Sequence, residues 1–218
     1  LFNAGHRKDE TVFPGDYGYK RTNFGLNVNH KSKDDRFSLR INILKSFQKN
    51  NLMATDLSNK IFLSPNAPEL YDADGNLNWE NNTFENPLAN LYAEYRFKSN
   101  DSNGQLGMDY KITENLIFKL NTGFNEASVD EWRTAPSKMY NPSYGIGSDS
   151  SILSYSTSKR SSWIIEPQLH WEFNLEKAKI NFLIGTTFEE RKAQSMRLDA
   201  GGFTTDDFIY NLANATIV

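Results

Sequence analysis

Hydrophobic and polar residues alternate one for one along several stretches of this chain. In WIIEPQLHWEF (163–173) the odd positions Trp163, Ile165, Pro167, Leu169, Trp171 and Phe173 are apolar. The even positions Ile164, Glu166, Gln168, His170 and Glu172 are mostly polar. Side chains on a β-strand point alternately to opposite faces, so such a strand has one oily and one wet side. NFGLNVNH (23–30) sets Phe24, Leu26 and Val28 against asparagines. RFSLRINI (36–43) sets Phe37, Leu39, Ile41 and Ile43 against Ser38, Arg40 and Asn42. Leu106, Met108 and Tyr110 oppose Gln105, Asp109 and Lys111. Leu116, Phe118 and Leu120 oppose Lys119 and Asn121, with Ile117 interrupting, and Ile180, Phe182 and Ile184 continue the series. No segment of comparable length carries a 3.6-residue apolar stripe. The pattern predicts an all-β chain, an antiparallel meander of about seven long strands.

The links between these strands alternate in length. KSKDD (31–35), ITEN (112–115) and NLEKAK (174–179) are short and polar. Long links run from about Asn50 to Asn100 and from about Thr134 to Ser161, and a third begins near Gln194. Long structureless loops are uncommon in compact soluble domains. A short-long rhythm is what transmembrane β-barrels show, with tight periplasmic turns and long extracellular loops. Trp163 to Phe173 spans roughly 33 Å. Tilted by about 40°, it rises close to the ~25 Å apolar band of such barrels, with aromatics at both ends. Pro167 removes one ladder donor, which predicts a local bulge.

Composition narrows the classes. Lys plus Arg is 24 and Asp plus Glu is 27, a net charge of −3 without the basic excess expected of a nucleic-acid binder. The absence of cysteine removes disulfides, thiolate metal sites and cysteine nucleophiles. Only 38% of residues are hydrophobic while 13% are aromatic, which fits polar loops joined by half-apolar strands. LFNAGHRKDE lacks the basic start and apolar run of a signal peptide and begins in mid-pattern, so the chain reads as an internal piece of something longer.

Candidate chemistry is sparse. YDADGNLNWE (71–80) places Asp72, Asp74 and Asn76 at alternate positions, as a calcium loop does, but position 12 is Thr83 and Glu80 comes too early. A tight turn is the better reading. GIGSDSS (145–151) lacks the Lys-Ser/Thr ending of a phosphate loop. His6, His30 and His170 fall in no metal-binding spacing. Glu189 and Glu190 point to opposite faces, Glu166 and Glu172 are roughly 20 Å apart, and no GxSxG elbow occurs. No enzyme and no cofactor is implied. The loop aromatics, Trp79 and Tyr144 among them, serve to pin the loops together or to meet a sugar or partner; pinning is the simpler role.

FPGDYGYKRTNFGLNVNH (13–30), LSPNAPELYDADGNLNWENNTFENPLANLYAEY (63–95), MYNPSYGI (139–146), SWIIEPQLHWEF (162–173) and IGTTFEE (184–190) occur in this order. Together they resemble the first part of the barrel in SusC/RagA-type TonB-dependent outer-membrane transporters of the Bacteroidetes. The resemblance runs over essentially the whole chain. It implies a barrel of about 22 strands with a plugged lumen, importing oligosaccharides, peptides or similar nutrients. TonB drives such importers, a SusD-like surface lipoprotein caps them, and outer-membrane lipid surrounds them. On this reading residues 1–218 are one partial barrel domain without plug or TonB box. Arg40, Asn42, Glu166, Gln168 and His170 would face the lumen, and Trp163, Trp171 and Phe173 would sit at the membrane interfaces. The alternative of a different class is a soluble β-sandwich carbohydrate-binding module, whose apolar faces would pack on one another. A surface hydrolase ranks third.

Overall fold

The computed structural model describes residues 1–176 and 178–218. Lys177, inside the NLEKAK link, lies outside the described residues, as do the side chains of Asn59 and Ile61. Eight strands form one antiparallel sheet: β1 (Phe2–Glu10), β2 (Gly18–Lys31), β3 (Phe37–Met53), β4 (Glu94–Lys111), β5 (Leu116–Ala135), β6 (Ile152–Leu175), β7 (Ala178–Gly185) and β8 (Phe188–Gly201). From β1 to β6 each strand pairs with its sequence neighbours, and both β7 and β8 pair with β6. Seven positions therefore hold eight strands, and the sheet stays open at β1 and at β7–β8.

β7 and β8 are one strand interrupted opposite Pro167. Gln168 pairs with Gly185 and Ile165 with Phe188, so both halves keep a single register with no residue added. The bulge expected at Pro167 is therefore not formed. The Thr186 N–H donates to the Pro167 carbonyl at 3.2 Å, which places the hydrogen-bonding side of Pro167 towards the last strand. Its missing N–H breaks the ladder there, while Leu120 pairs with it on the other side in an unbroken run.

The strands outrun their apolar segments. β5 has 20 residues and β6 has 24. β3 continues to Met53, β4 starts at Glu94, β6 starts at Ile152 and β8 runs to Gly201. The long links are thus shorter than the apolar pattern suggests, at 54–93 and 136–151. Their missing ends are polar ladders, such as Ser154–Ser162 paired with 125–133. Backbone pairing needs no apolar side chain, so these extensions leave no alternation to read. β1 is another such strand, with FNAGHRKDE fully paired to β2.

Register joins the apolar residues into one face. Leu26, Ile43, Gly104, Phe124 and Trp163 form one row across β2–β6, and Val28, Ile41, Leu106, Thr122 and Ile165 form the next. No second layer lies on this face among the described residues. Trp163 stays 42% exposed and Ile184 70% exposed. The buried core sits at the long-loop end instead, where Leu153, Ala200, Phe203 and Ile209 pack with Trp132 and Tyr210. A sheet that hides little of its apolar face and keeps its core in its loops is not half of a two-sheet sandwich.

Candidate functional site

The opposite face of the sheet is polar and cross-linked from strand to strand. Arg40 (β3) donates from Nη2 to Asp109 Oδ2 on β4 at 3.4 Å, and the Ser38 hydroxyl donates to the same oxygen at 3.1 Å. A Cβ at Gly107 would lie 3.3 Å from Arg40 Nη2, so glycine there leaves the guanidinium room. Asn42 stands opposite Gln105. Higher up, the Tyr19 hydroxyl donates to Gln48 Oε1 at 2.8 Å, and Gln48 and Ser99 both donate to Asp101. On β6, Glu166 accepts from the Thr187 hydroxyl at 3.2 Å, and His170 Nε2 lies 3.0 Å from Gln168 Oε1.

Arg40, Asn42, Glu166, Gln168 and His170, expected to face a lumen, lie on the polar side of the sheet by register. They are not one pocket. Arg40 and Glu166 occupy the same register row, with Gly107 and Asn121 between them. Gln168 follows Asp109 and Lys119 in the next row. Asp109, the partner that holds Arg40, was visible only as a polar strand residue, because cross-strand pairing is not written in either strand alone.

On the apolar face, Trp171 packs against Phe173 with ring centroids 4.0 Å apart and planes tilted by 43°, and Phe173 meets Phe182 edge-on at 5.8 Å. This cluster marks the short-turn end. Trp163 marks the other margin, its Nε1 donating to Glu190 Oε2 at 3.1 Å.

Above the sheet the long loops are tied together by polar side chains. Asn86 is buried; it donates to the carbonyls of Leu70 and Asn78 and accepts from the Leu88 N–H. Asn82 Oδ1 accepts from Asn141 at 2.8 Å and from the Ser143 hydroxyl at 2.6 Å, linking the 54–93 and 136–151 loops. The Tyr144 hydroxyl donates to Glu85 at 3.0 Å. Asp206 gathers the Ser137 and Lys138 amides and the hydroxyls of Ser137 and Ser151. In DADGN, Asp72 Oδ1 accepts the N–H groups of Asp74 and Asn76 at 3.0 and 2.8 Å, and Tyr71 bridges to Leu77. This is a tight hairpin turn whose first carboxylate is spent on backbone. Among the described residues no cluster of His, Asp and Glu has the geometry to hold a metal ion.

An open, all-antiparallel sheet with one apolar face, one polar face and tied loops at one end has the architecture of a barrel wall. Nineteen chains of solved structures match this fold. A structure of the RagAB peptide transporter matches with a TM-score of 0.71 at 13% identity, covering 100% of this chain and 25% of that one. The RagAB peptide importer in its closed-closed and open-open states matches with a TM-score of 0.66, at 12% and 14% identity, over 93% of this chain and 23% of those chains. The chain thus spans about a quarter of the length of the structures it matches. These structures are named as a peptide importer or transporter, and RagA is the name carried by the family that the sequence motifs resemble. No family model matches the sequence, and no curated protein matches it significantly.

Proposed function

We propose that residues 1–218 are a wall segment of a TonB-dependent outer-membrane importer of peptides, oligosaccharides or similar nutrients, working with a SusD-like surface lipoprotein. The apolar face meets outer-membrane lipid. Arg40, Asn42, Glu166, Gln168 and His170 line the water-filled interior, and Trp163, Trp171 and Phe173 sit at the two interfaces.

One observation carries this reading: the apolar band crosses the sheet obliquely. Phe37, Tyr110, Phe118 and Leu169 form one register row at the lower end of β3, β4, β5 and β6. On β3 the last aromatic of the band is Phe37, but on β6 it lies four residues further, at Phe173, with Leu175 closing the strand. That is roughly 13 Å along the strand over three inter-strand steps of about 4.8 Å each. A band level with a membrane then requires strands inclined by about 40°, the inclination of transmembrane barrels. The RagAB fold similarity supports the same reading, and the wet face explains the run of asparagines opposite the apolar residues.

Residues 1–218 contain no cysteine, so labels can be introduced at chosen positions of this segment. Spin labels are placed singly at Ile41→Cys, Ile165→Cys, Asn42→Cys and Glu166→Cys in the protein as it occurs in outer membranes. Labels at 41 and 165 should collide with oxygen in preference to a water-soluble nickel chelate, and those at 42 and 166 should show the reverse. Chelate access at 41 and 165 equal to that at 42 and 166 would remove the lipid-facing assignment and with it the importer wall.

A further inference from the structure

Beyond the upper margin of the apolar face, pairing brings four lysines into line on four successive strands. Lys8 stands opposite Lys20, Lys20 opposite Lys49, and Lys49 opposite Lys98. All four share the parity of Phe2, Leu26, Ile43 and Gly104, so they continue the apolar face and not the polar one. Like charges directly opposite on a sheet repel. Lys8 is offset by an ion pair with Glu10. Lys98 lies over the Trp132 ring, 5.2 Å from its centroid, with Asp130 opposite. Among the described residues, no carboxylate stands within ion-pair distance of Lys20, Lys49 or Lys45. Lys45 lies on the same face of β3 between the row and the apolar band. Its Nζ donates to Ser102 Oγ at 2.6 Å and sits 5.2 Å from the Phe47 ring.

Directly below Lys45 the apolar face is indented. The Phe124 ring lies over Gly104, and beside it an open groove of about 370 Å³ is lined by Ile43, Leu106, Thr122, Phe124, Trp163 and Ile165. An apolar channel leading up to unpaired ammonium groups is complementary to a molecule with a chain at one end and a phosphate at the other.

We propose that this is a seat for one phosphate-bearing lipid of the outer leaflet, with an acyl chain in the groove and the phosphate held by Lys45, Lys20 and Lys49. The inference rests on the membrane-wall reading above. It adds a defined lipid site, because long lysine stems lie along apolar surface while their charged ends reach the headgroup level.

The test is native mass spectrometry of the whole detergent-solubilised protein, titrated with diphosphorylated lipid A, with its dephosphorylated form and with inorganic phosphate. The expected order is retention of the phosphorylated lipid, weak retention of the dephosphorylated one and none of phosphate alone. In K20Q/K45Q/K49Q the phosphorylated lipid should bind 10- to 100-fold more weakly, on the order expected for three charges near a headgroup. K33Q/K111Q, at the short-turn end, should bind as the parent does. Thr122→Phe, which fills the groove without changing charge, should also weaken the lipid. Equal loss in both lysine variants, no loss in either, or retention of phosphate as strong as that of the lipid would each overturn the site. If the parent protein is recovered in the outer membrane but these results fail, only the lipid seat falls. If it is not found there, the wall reading falls as well.

Discussion

Asp206 accepts two hydrogen bonds from Ser137 across 69 residues of sequence, from its backbone N–H at 3.1 Å and from its hydroxyl at 3.0 Å. The carboxylate thereby ties the 136–151 loop to the segment after β8. Asp206→Ala leaves the Lys138 amide without its acceptor and the Ser137 amide with only the Ser151 hydroxyl, at 2.7 Å. Hydrogen bonds to a charged group contribute roughly 1.5–3 kcal/mol each, less where water reaches them. Amide exchange in both loops should accelerate by about tenfold or more while the β3–β5 ladders keep their protection. Unchanged loop exchange would mean the apolar cluster around Phe203 holds the loops alone.

The same carboxyl predicts a pH dependence. Burial by itself would raise its pKa, but the hydrogen bonds from Ser151, Lys138 and Ser137 outweigh burial and hold it below the ordinary 3.8. A depressed folded value means that the clasp stabilises fully above the unfolded pKa and is lost as pH falls through the folded one. Protection factors in these loops, corrected for intrinsic exchange, should therefore be constant above about pH 5 and fall below about pH 4. The fall should be absent in Asp206→Ala, whose loops are already open.

Pro167 offers a gain. Pro167→Val supplies the N–H that position 167 lacks towards Thr186 and suits a strand better. The ladder should close across the gap and stabilise the β6–β7–β8 unit by about 1 kcal/mol, seen as slower exchange at Thr186 and Thr187. A loss of stability would show that the gap relieves strain in the last strand.

Gly104 and Phe124 form a matched pair. A Cβ on Gly104 runs into the Phe124 ring, so Gly104→Ala should cost about 1 kcal/mol as the ring is displaced. Phe124→Leu in the same protein should recover most of that loss. Additive losses would show that the ring is not what constrains the glycine.

The two faces should differ sharply in their tolerance of charge. On the proposed lipid-facing assignment, Leu106→Arg on the apolar face should destabilise the protein in bilayers by about 2–4 kcal/mol. Gln105→Arg, one residue away on the polar face, should change stability by less than about 0.5 kcal/mol. Denaturant titration of both variants in bilayers reads the difference directly.

Within the apolar band the fold was legible because Leu26, Ile41, Met108 and Leu169 each sit in strict alternation, and a period of two leaves little choice. Outside the band it was not. Ser154 to Ser162 and FNAGHRKDE pair as fully as any strand, yet their side chains are mostly polar on both faces and carry no period. Parity within each strand put Arg40 and Asn42 on one face of β3, and Glu166, Gln168 and His170 on one face of β6. It did not reveal Asp109 as the partner of Arg40 or the lysine row, since both depend on which residues face one another across strands. Asp206 lay hidden for a related reason: TTDDF reads as an ordinary polar loop until the 136–151 loop is folded against it. Pro167 was recognised as a ladder breaker, but a bulge and an in-register gap share one local sequence signature.

The gap at Thr186 and Thr187 determines how the last strand tolerates changes in length. Because it adds no residue, Ile184 before it and Phe188 after it point the same way. A single deletion there would rotate every later residue by half a turn. Glu189 and Arg191 would then exchange places with Phe188 and Glu190, while the strand below the gap kept its facing. Evolution can lengthen or shorten this strand between its ends only in twos, whereas the 54–93 and 136–151 loops accept any number.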